Sequence, residues 1–327
     1  MPEIKEFVRF TDHPPTRLKH PELMSSLART TEAAAMVAAR AMGRADAERV
    51  RDVASTAMLE ALEDLDLTGH VILGPRDNQI LSRGSTVGSG SRSVELAAYP
   101  VEGASLVARG LPGAISVAAA VEPGGFPRLP AVWYMEGLIA GPEAVGAVDL
   151  DEPLRDNLQR LAFARDVRIS DLTVAVLDRP RHQKLIAEVQ QAGARLLLIE
   201  EGEIAGALMA ALDDQRGRGI AAMVGISGLQ EMVIAAGIVR CLGGEIQARL
   251  WPRNDEEREL AAEQAGKIFG PLDLAPETVD VSITGVSGGP LAAVWYGSIW
   301  QETETLLLST DSMAMRRMIT RYRRPSE

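Results

Sequence analysis

The chain has 327 residues, a formal net charge of −11 at pH 7, 46% hydrophobic residues and only 4% aromatic ones. That apolar content excludes a disordered chain and calls for an aliphatic core, with enough length for two α/β units. The acidic balance argues against a nucleic-acid or anionic-membrane surface, and the single Cys241 excludes an intrachain disulfide or a multi-cysteine zinc site.

The first 22 residues are polar, carry Pro14, Pro15 and Pro21, and read as an irregular lead-in. Leu27, Ala34, Ala35, Val37, Ala38 and Ala41 at helical spacing predict a helix over 25–43, stopped by Gly43. Asp46 then caps a second helix that runs to about residue 64. Residues 70–74 read as a buried strand, and 75–93, rich in Gly, Ser, Arg and Asn, as irregular turns. The run 95–104 is strand-like, turns at Pro100 and sets Glu102 beside Gly103. A carboxylate there is placed to reach a cation or a phosphate, but one carboxylate is not a Mg²⁺ site. Residues 106–121 form the longest apolar run, broken by Gly110, Pro112 and Gly113, so no membrane span is expected. With no signal-peptide pattern at the start, a cytoplasmic protein is expected.

Residues 131–139 are strand-prone, and the charged passage 149–168 suggests an N-terminal α/β domain over 1–168 and a C-terminal one over 169–327. Beyond it, strands over 172–177, 195–200 and 219–225 alternate with helices over 180–192, 203–212 and 228–242. That rhythm calls for a largely parallel sheet covered on both faces. Residues 278–309 add further strands, and the basic tail with Arg316, Arg317, Arg321, Arg323 and Arg324 reads as a solvated helix end or a subunit contact.

Ligands in such sheets bind beyond the carboxyl ends of the strands. Arg179-Pro180-Arg181-His182 follows a strand and opens a helix, which suits either an anion pocket or a solvated basic turn. Glu201-Gly202-Glu203 suits either sugar hydroxyls or the N-terminus of the next helix. His182 reads as a cap or packing residue, and Trp133-Tyr134-Met135-Glu136 as core. The four histidines show no ligand spacing. Gly285-Val286-Ser287-Gly288-Gly289 has the letters of a nucleophile elbow, but Pro290 and a strand-like run follow where a helix is needed, so a turn between strands is expected.

Taken in order, Thr31-Glu32-Ala33-Ala34, Gly43-Arg44-Ala45-Asp46, Pro100-Val101-Glu102-Gly103, Tyr134-Met135-Glu136, Ile139-Ala140-Gly141-Pro142, Leu154-Arg155-Asp156-Asn157-Leu158, Pro180-Arg181-His182 and Thr303-Glu304-Thr305-Leu306-Leu307 resemble class II fructose-1,6-bisphosphatase. The resemblance implies a layered α/β/α/β/α sandwich, Mg²⁺ or Mn²⁺ chemistry and a homo-oligomer. It also implies substrate contacts at Tyr134, Arg179, Arg181, Glu201, Glu203 and Gly228.

The same resemblance departs at the metal ligands. Arg51 stands at the family's helix Asp, with Asp52 one place on, and Gly74-Pro75-Arg76-Asp77 replaces a Gly-Glu-Gly-Glu turn. Tyr99 and Ala104 replace the Asp and Thr of an Asp-Pro-Ile-Glu-Gly-Thr loop, while Glu102 and Glu231 stay in register. The expectation is a protein that binds a phosphorylated sugar or polyol without a bound metal and without ordinary Mg²⁺-dependent hydrolysis, touching neither nucleic acid nor membrane. One alternative is an active phosphatase that uses a rebuilt set from Asp52, Asp77, Glu95, Glu102 and Glu231, with Glu102, Glu231 and Asp77 catalytic. The other is an assembly partner of an active homologue.

Overall fold

Alanines and leucines three and four apart build α1 (Pro21–Arg40), in which Leu27, Ala34, Ala35 and Ala38 are completely buried. Within the described residues the helix already includes Pro21, ahead of the expected start at residue 25. Asp46 caps α2 (Ala47–Glu63) as expected, its side chain accepting the Arg49 N–H at 2.9 Å. The computed structural model describes residues 21–75, 78–212, 219–312 and 314–324. Among these no helix is long and apolar enough to cross a membrane.

The first sheet opens with β1 (Leu67–Leu73), β2 (Thr86–Val87) and β3 (Arg92–Glu102). A short helix, α3 (Ala104–Arg109), then interrupts the apolar run before β4 (Ile115–Val121), since Gly110 and Gly113 break it where Pro112 bars a continued helix. The second sheet begins at β5 (Tyr134–Ala140), followed by α4 (Leu154–Ala164), β6 (Thr173–Leu177), α5 (Gln183–Ala192), β7 (Arg195–Ile199) and α6 (Glu203–Ala211). It is completed by β8 (Ala222–Gly228), α7 (Leu229–Leu242) and β9 (Glu245–Trp251). Two short helices, α8 (Asp255–Ala261) and α9 (Pro271–Leu274), lead back to the first sheet. There β10 (Asp280–Gly285), β11 (Trp295–Tyr296), β12 (Trp300–Ser309) and β13 (Ala314–Arg323) close the chain.

The first sheet runs β11-β12-β10-β4-β3-β1-β2, with β13 also paired to β12, and the second runs β7-β6-β8-β5-β9. A division at residue 168 therefore follows neither sheet: β5 lies in the second, and β10 to β13 return to the first. In the second sheet β6, β7 and β8 pair in parallel, and β5 runs antiparallel to both its neighbours, β8 and β9, so four of the five strands point the same way.

Three apolar clusters fix the layers. One packs α1, α2 and α3 on the outer face of the first sheet, and a second surrounds α6 and α7 between the sheets. The third packs α4 and α5 on the far face of the second sheet. Helix and sheet alternate through five layers, an α/β sandwich of the phosphatase type.

The basic tail is a strand, not a helix end. From 317 onward the exposed residues 317, 319, 321 and 323 of β13 alternate with the half-buried 318, 320 and 322, the two-residue alternation of a pleated edge. Two of its charges are met across the ladder, Arg321 pairing with Glu302 at 2.7 Å and Arg317 with Glu304. The 285–289 segment is a turn, and the Ser287 hydroxyl accepts the Ala114 N–H at 3.0 Å.

Candidate functional site

The carboxyl ends of β6, β7 and β8 face the carboxyl end of β3, and α6 and α7 start there. Along β3, Ala97 and Tyr99 face the helices between the sheets, whereas Leu96, Ala98 and Val101 face α1 and α2. The register with β4 shifts between Tyr99 and Glu102, around Pro100, which has no N–H to give the ladder. The extra residue keeps Glu102 on the same inner side as Tyr99.

Glu102 is buried and accepts two backbone N–H groups of α6, from Ile204 at 2.7 Å and from Ala205 at 3.0 Å. These are among the N–H groups that a helix leaves without intrahelical partners in its first turn. Burial pushes the Glu102 carboxyl well above its usual range, the charge of Glu203 adds to this, and the two N–H bonds pull the other way. Tyr99 donates its hydroxyl to Glu231 Oε1 at 2.9 Å, and burial and the Glu231 charge push the phenol well up. Glu231 sits in the first turn of α7, folded over Gly228 so closely that a Cβ there would lie 1.9 Å from its Oε2. A side chain at that position would push the Glu231 carboxylate aside. Beside it Gln230 accepts the Gly74 N–H at 3.0 Å and so ties the turn after β1 to α7.

The opposite wall is cationic and aromatic. After β6 the chain makes a single 3₁₀ turn, Pro180–His182, and Arg181 donates to the Ile226 carbonyl at 3.1 Å. Its guanidinium carbon lies 4.8 Å from the centroid of the Tyr134 ring, which meets Trp251 edge-on at 6.1 Å. Arg179 donates to the Asp178 carbonyl at 3.0 Å. His182 is buried, with Nδ1 2.8 Å from the Leu177 carbonyl and Nε2 accepting the Ile226 N–H at 2.8 Å. The imidazole is therefore neutral, with its proton on Nδ1. Burial holds its pKa below the ordinary value, and the neighbouring Arg181 and Arg179 charges act in the same direction. Gly225, at φ +132°, leaves room for it, since a Cβ there would be 3.1 Å from Nε2.

The acidic pair bridges the sheets. Glu201 bonds the Ser105 hydroxyl of α3, and neighbouring Glu200 pairs with Arg109 of the same helix. Glu203 starts α6, close enough for its charge to act on Glu102.

The structure thus brings together Tyr134, Arg181, Gly228, Glu231, Glu102 and Glu203, with Arg179 and Glu201 at the flanks. Asp52 lies exposed on α2, Glu95 accepts the Phe126 N–H at 3.3 Å, and Asp77 and Arg76 lie outside the described residues. Among the described residues no group of three or more His, Cys, Asp or Glu could hold a metal ion. Trp133 is 39% exposed rather than core, because it lies at the mouth of this wall, ahead of the first residue of β5. Sequence reasoning did not find the Tyr99–Glu231 bond or the cap that Glu102 places on α6. Nor did it find Trp251, whose only local signal was a pair of aromatic strand ends.

Residues 21–322 match the family described as bacterial fructose-1,6-bisphosphatase, glpX-encoded. The chain is 34% identical over 320 residues to fructose-1,6-bisphosphatase 1 class 2 of Escherichia coli strain K12, covering 91% of this chain and 94% of that one. The same identity and coverage are found with fructose-1,6-bisphosphatase class 2 of Shigella flexneri. With the layered fold and a cationic wall facing an acidic one, this protein belongs to the class II fructose-1,6-bisphosphatase family.

Proposed function

We propose that the cleft binds a phosphorylated sugar or polyol, phosphate toward Arg179 and Arg181 and hydroxyls toward Glu203, and that ordinary Mg²⁺-dependent hydrolysis is not its chemistry. Family membership supports the sugar-phosphate part. One observation carries the rest: Glu102, the carboxylate kept at the family's metal loop, has both oxygens committed to the first turn of α6.

Mg²⁺ wants near-octahedral oxygen ligands, usually one or two carboxylates with substrate phosphate and water. The donors here do not fit that demand. Glu102 is spent on backbone N–H groups, Glu231 takes the Tyr99 hydroxyl, and Tyr99 itself brings a phenol held firmly protonated. The cationic wall asks for an anion instead. Arg181 is fixed by the Ile226 carbonyl and the Tyr134 face, with no carboxylate partner among the described residues, so a phosphate finds a pre-oriented fork.

The test is a phosphate-release assay with fructose 1,6-bisphosphate and sugar monophosphates under Mg²⁺ and Mn²⁺, beside calorimetry with the same compounds. The expected result is binding that is lost in Arg181→Ala, without turnover above background. Metal-dependent turnover that disappears in Glu102→Gln would overturn the proposal in favour of an active phosphatase with an unusual ligand set.

A further inference from the structure

Beyond β9 the chain places a second guanidinium at the same aromatic wall. Trp251 is the register partner of Tyr134, and two residues later Arg253 lies with its guanidinium carbon 4.3 Å from the Trp133 ring centroid and 6.0 Å from that of Tyr134. Arg181 approaches the Tyr134 ring at 4.8 Å, so two cations share one phenol. An aromatic face attracts each of them, but nothing in the ring offsets their mutual repulsion.

Arg253 is exposed yet held in place. Its Nε donates to Glu257 Oε1 at 2.8 Å, Nη2 lies 2.5 Å from the same oxygen as an ion pair, and its backbone N–H donates to Glu257 Oε2 at 2.9 Å. Asn254 caps α8 by accepting the Glu257 N–H at 2.9 Å, which fixes the carboxylate in turn. The Glu257 side chain is 5% exposed and that of Arg253 36%. Among the described residues the Nη1 nitrogen makes no hydrogen bond. One buried carboxylate thus orients a fork whose other nitrogen is left for a ligand, and the wall carries more guanidinium charge than carboxylate.

We propose that Arg253 is a further phosphate-binding residue of this cleft, acting with Arg181 on the phosphate of the sugar or polyol ligand. The proposal rests on the binding reading above and adds a residue that the family resemblance does not supply. A preformed fork loses little freedom on binding, so its contribution is expected to match that of an ordinary charge-assisted hydrogen bond.

The experiment is calorimetry of the full chain with fructose 1,6-bisphosphate and with inorganic phosphate, on wild type, Arg181→Ala, Arg253→Ala and Arg253→Lys, at low and high salt. Arg253→Ala is expected to raise Kd about tenfold or more, with Arg253→Lys recovering part of the loss. The gap between wild type and Arg253→Ala should narrow as salt rises, because exposed charges are screened. An unchanged Kd in Arg253→Ala, with binding still lost in Arg181→Ala, overturns the proposal and leaves the binding reading standing. A loss that Lys does not recover and salt does not narrow also overturns it, by making Arg253 a strut for α8. If wild type binds neither probe, the binding reading falls and takes this proposal with it.

Discussion

Glu102→Ala tests the central geometry most directly. The substitution leaves the Ile204 and Ala205 N–H groups without an acceptor at a site where the residue they bonded is only 7% exposed. A buried donor stripped of its partner costs about 1–3 kcal/mol, so the pair is expected to cost about 2–6 kcal/mol. Glu102→Gln keeps one acceptor and turns an amide NH₂ toward the other N–H, so roughly half that loss is expected. The difference is read as a shift in urea midpoint at constant slope, on protein treated with a chelator. Hydrogen exchange should show the gain in opening concentrated at the start of α6. If Glu102→Ala changes stability by less than about 0.5 kcal/mol, the carboxylate does not cap α6 and is available for other chemistry.

Tyr99→Asp restores the carboxylate that the family resemblance implies, beside Glu231 and near the charge of Glu102. It should destabilise the chelated protein by about 3 kcal/mol and recover with Mn²⁺ in thermal melts; a melt indifferent to Mn²⁺ argues against any latent site there. His182 is held neutral, so the folded state binds fewer protons than the unfolded one below about pH 6.5, and the stability it contributes is lost as the pH falls through that range. His182→Gln should therefore flatten the acid limb of stability below about pH 6.5, and an unchanged slope would assign that limb to other groups. Burial pushes the Cys241 thiol up to about 12, so it should react with a thiol reagent at neutral pH only at the rate of unfolding. Fast labelling of folded protein would contradict its placement in the core.

What the sequence determined by itself was whatever depends on neighbours a few residues away. Asp46 caps α2 because a carboxylate three residues ahead of Arg49 can reach its N–H whatever the rest of the chain does. The strand and helix rhythm of β6 to α7 followed from apolar runs punctuated by glycine. The turn that carries Arg181 followed from proline at its start. One basic pattern suits two outcomes: Arg316 to Arg324 carry an alternation legible only once β12 supplies Glu302 and Glu304 across the ladder.

The tertiary structure alone decided what the shared residues do. Tyr99 meets Glu231 across 132 positions of sequence, and Glu102 meets Ile204 across 102. Both depend on a bulge in β3 and on β5 joining the second sheet, so that α6 and α7 begin opposite the end of β3. A carboxylate's role is set by which donors reach it first. Those donors are placed by the stacking of two sheets, a relation that no local spacing encodes.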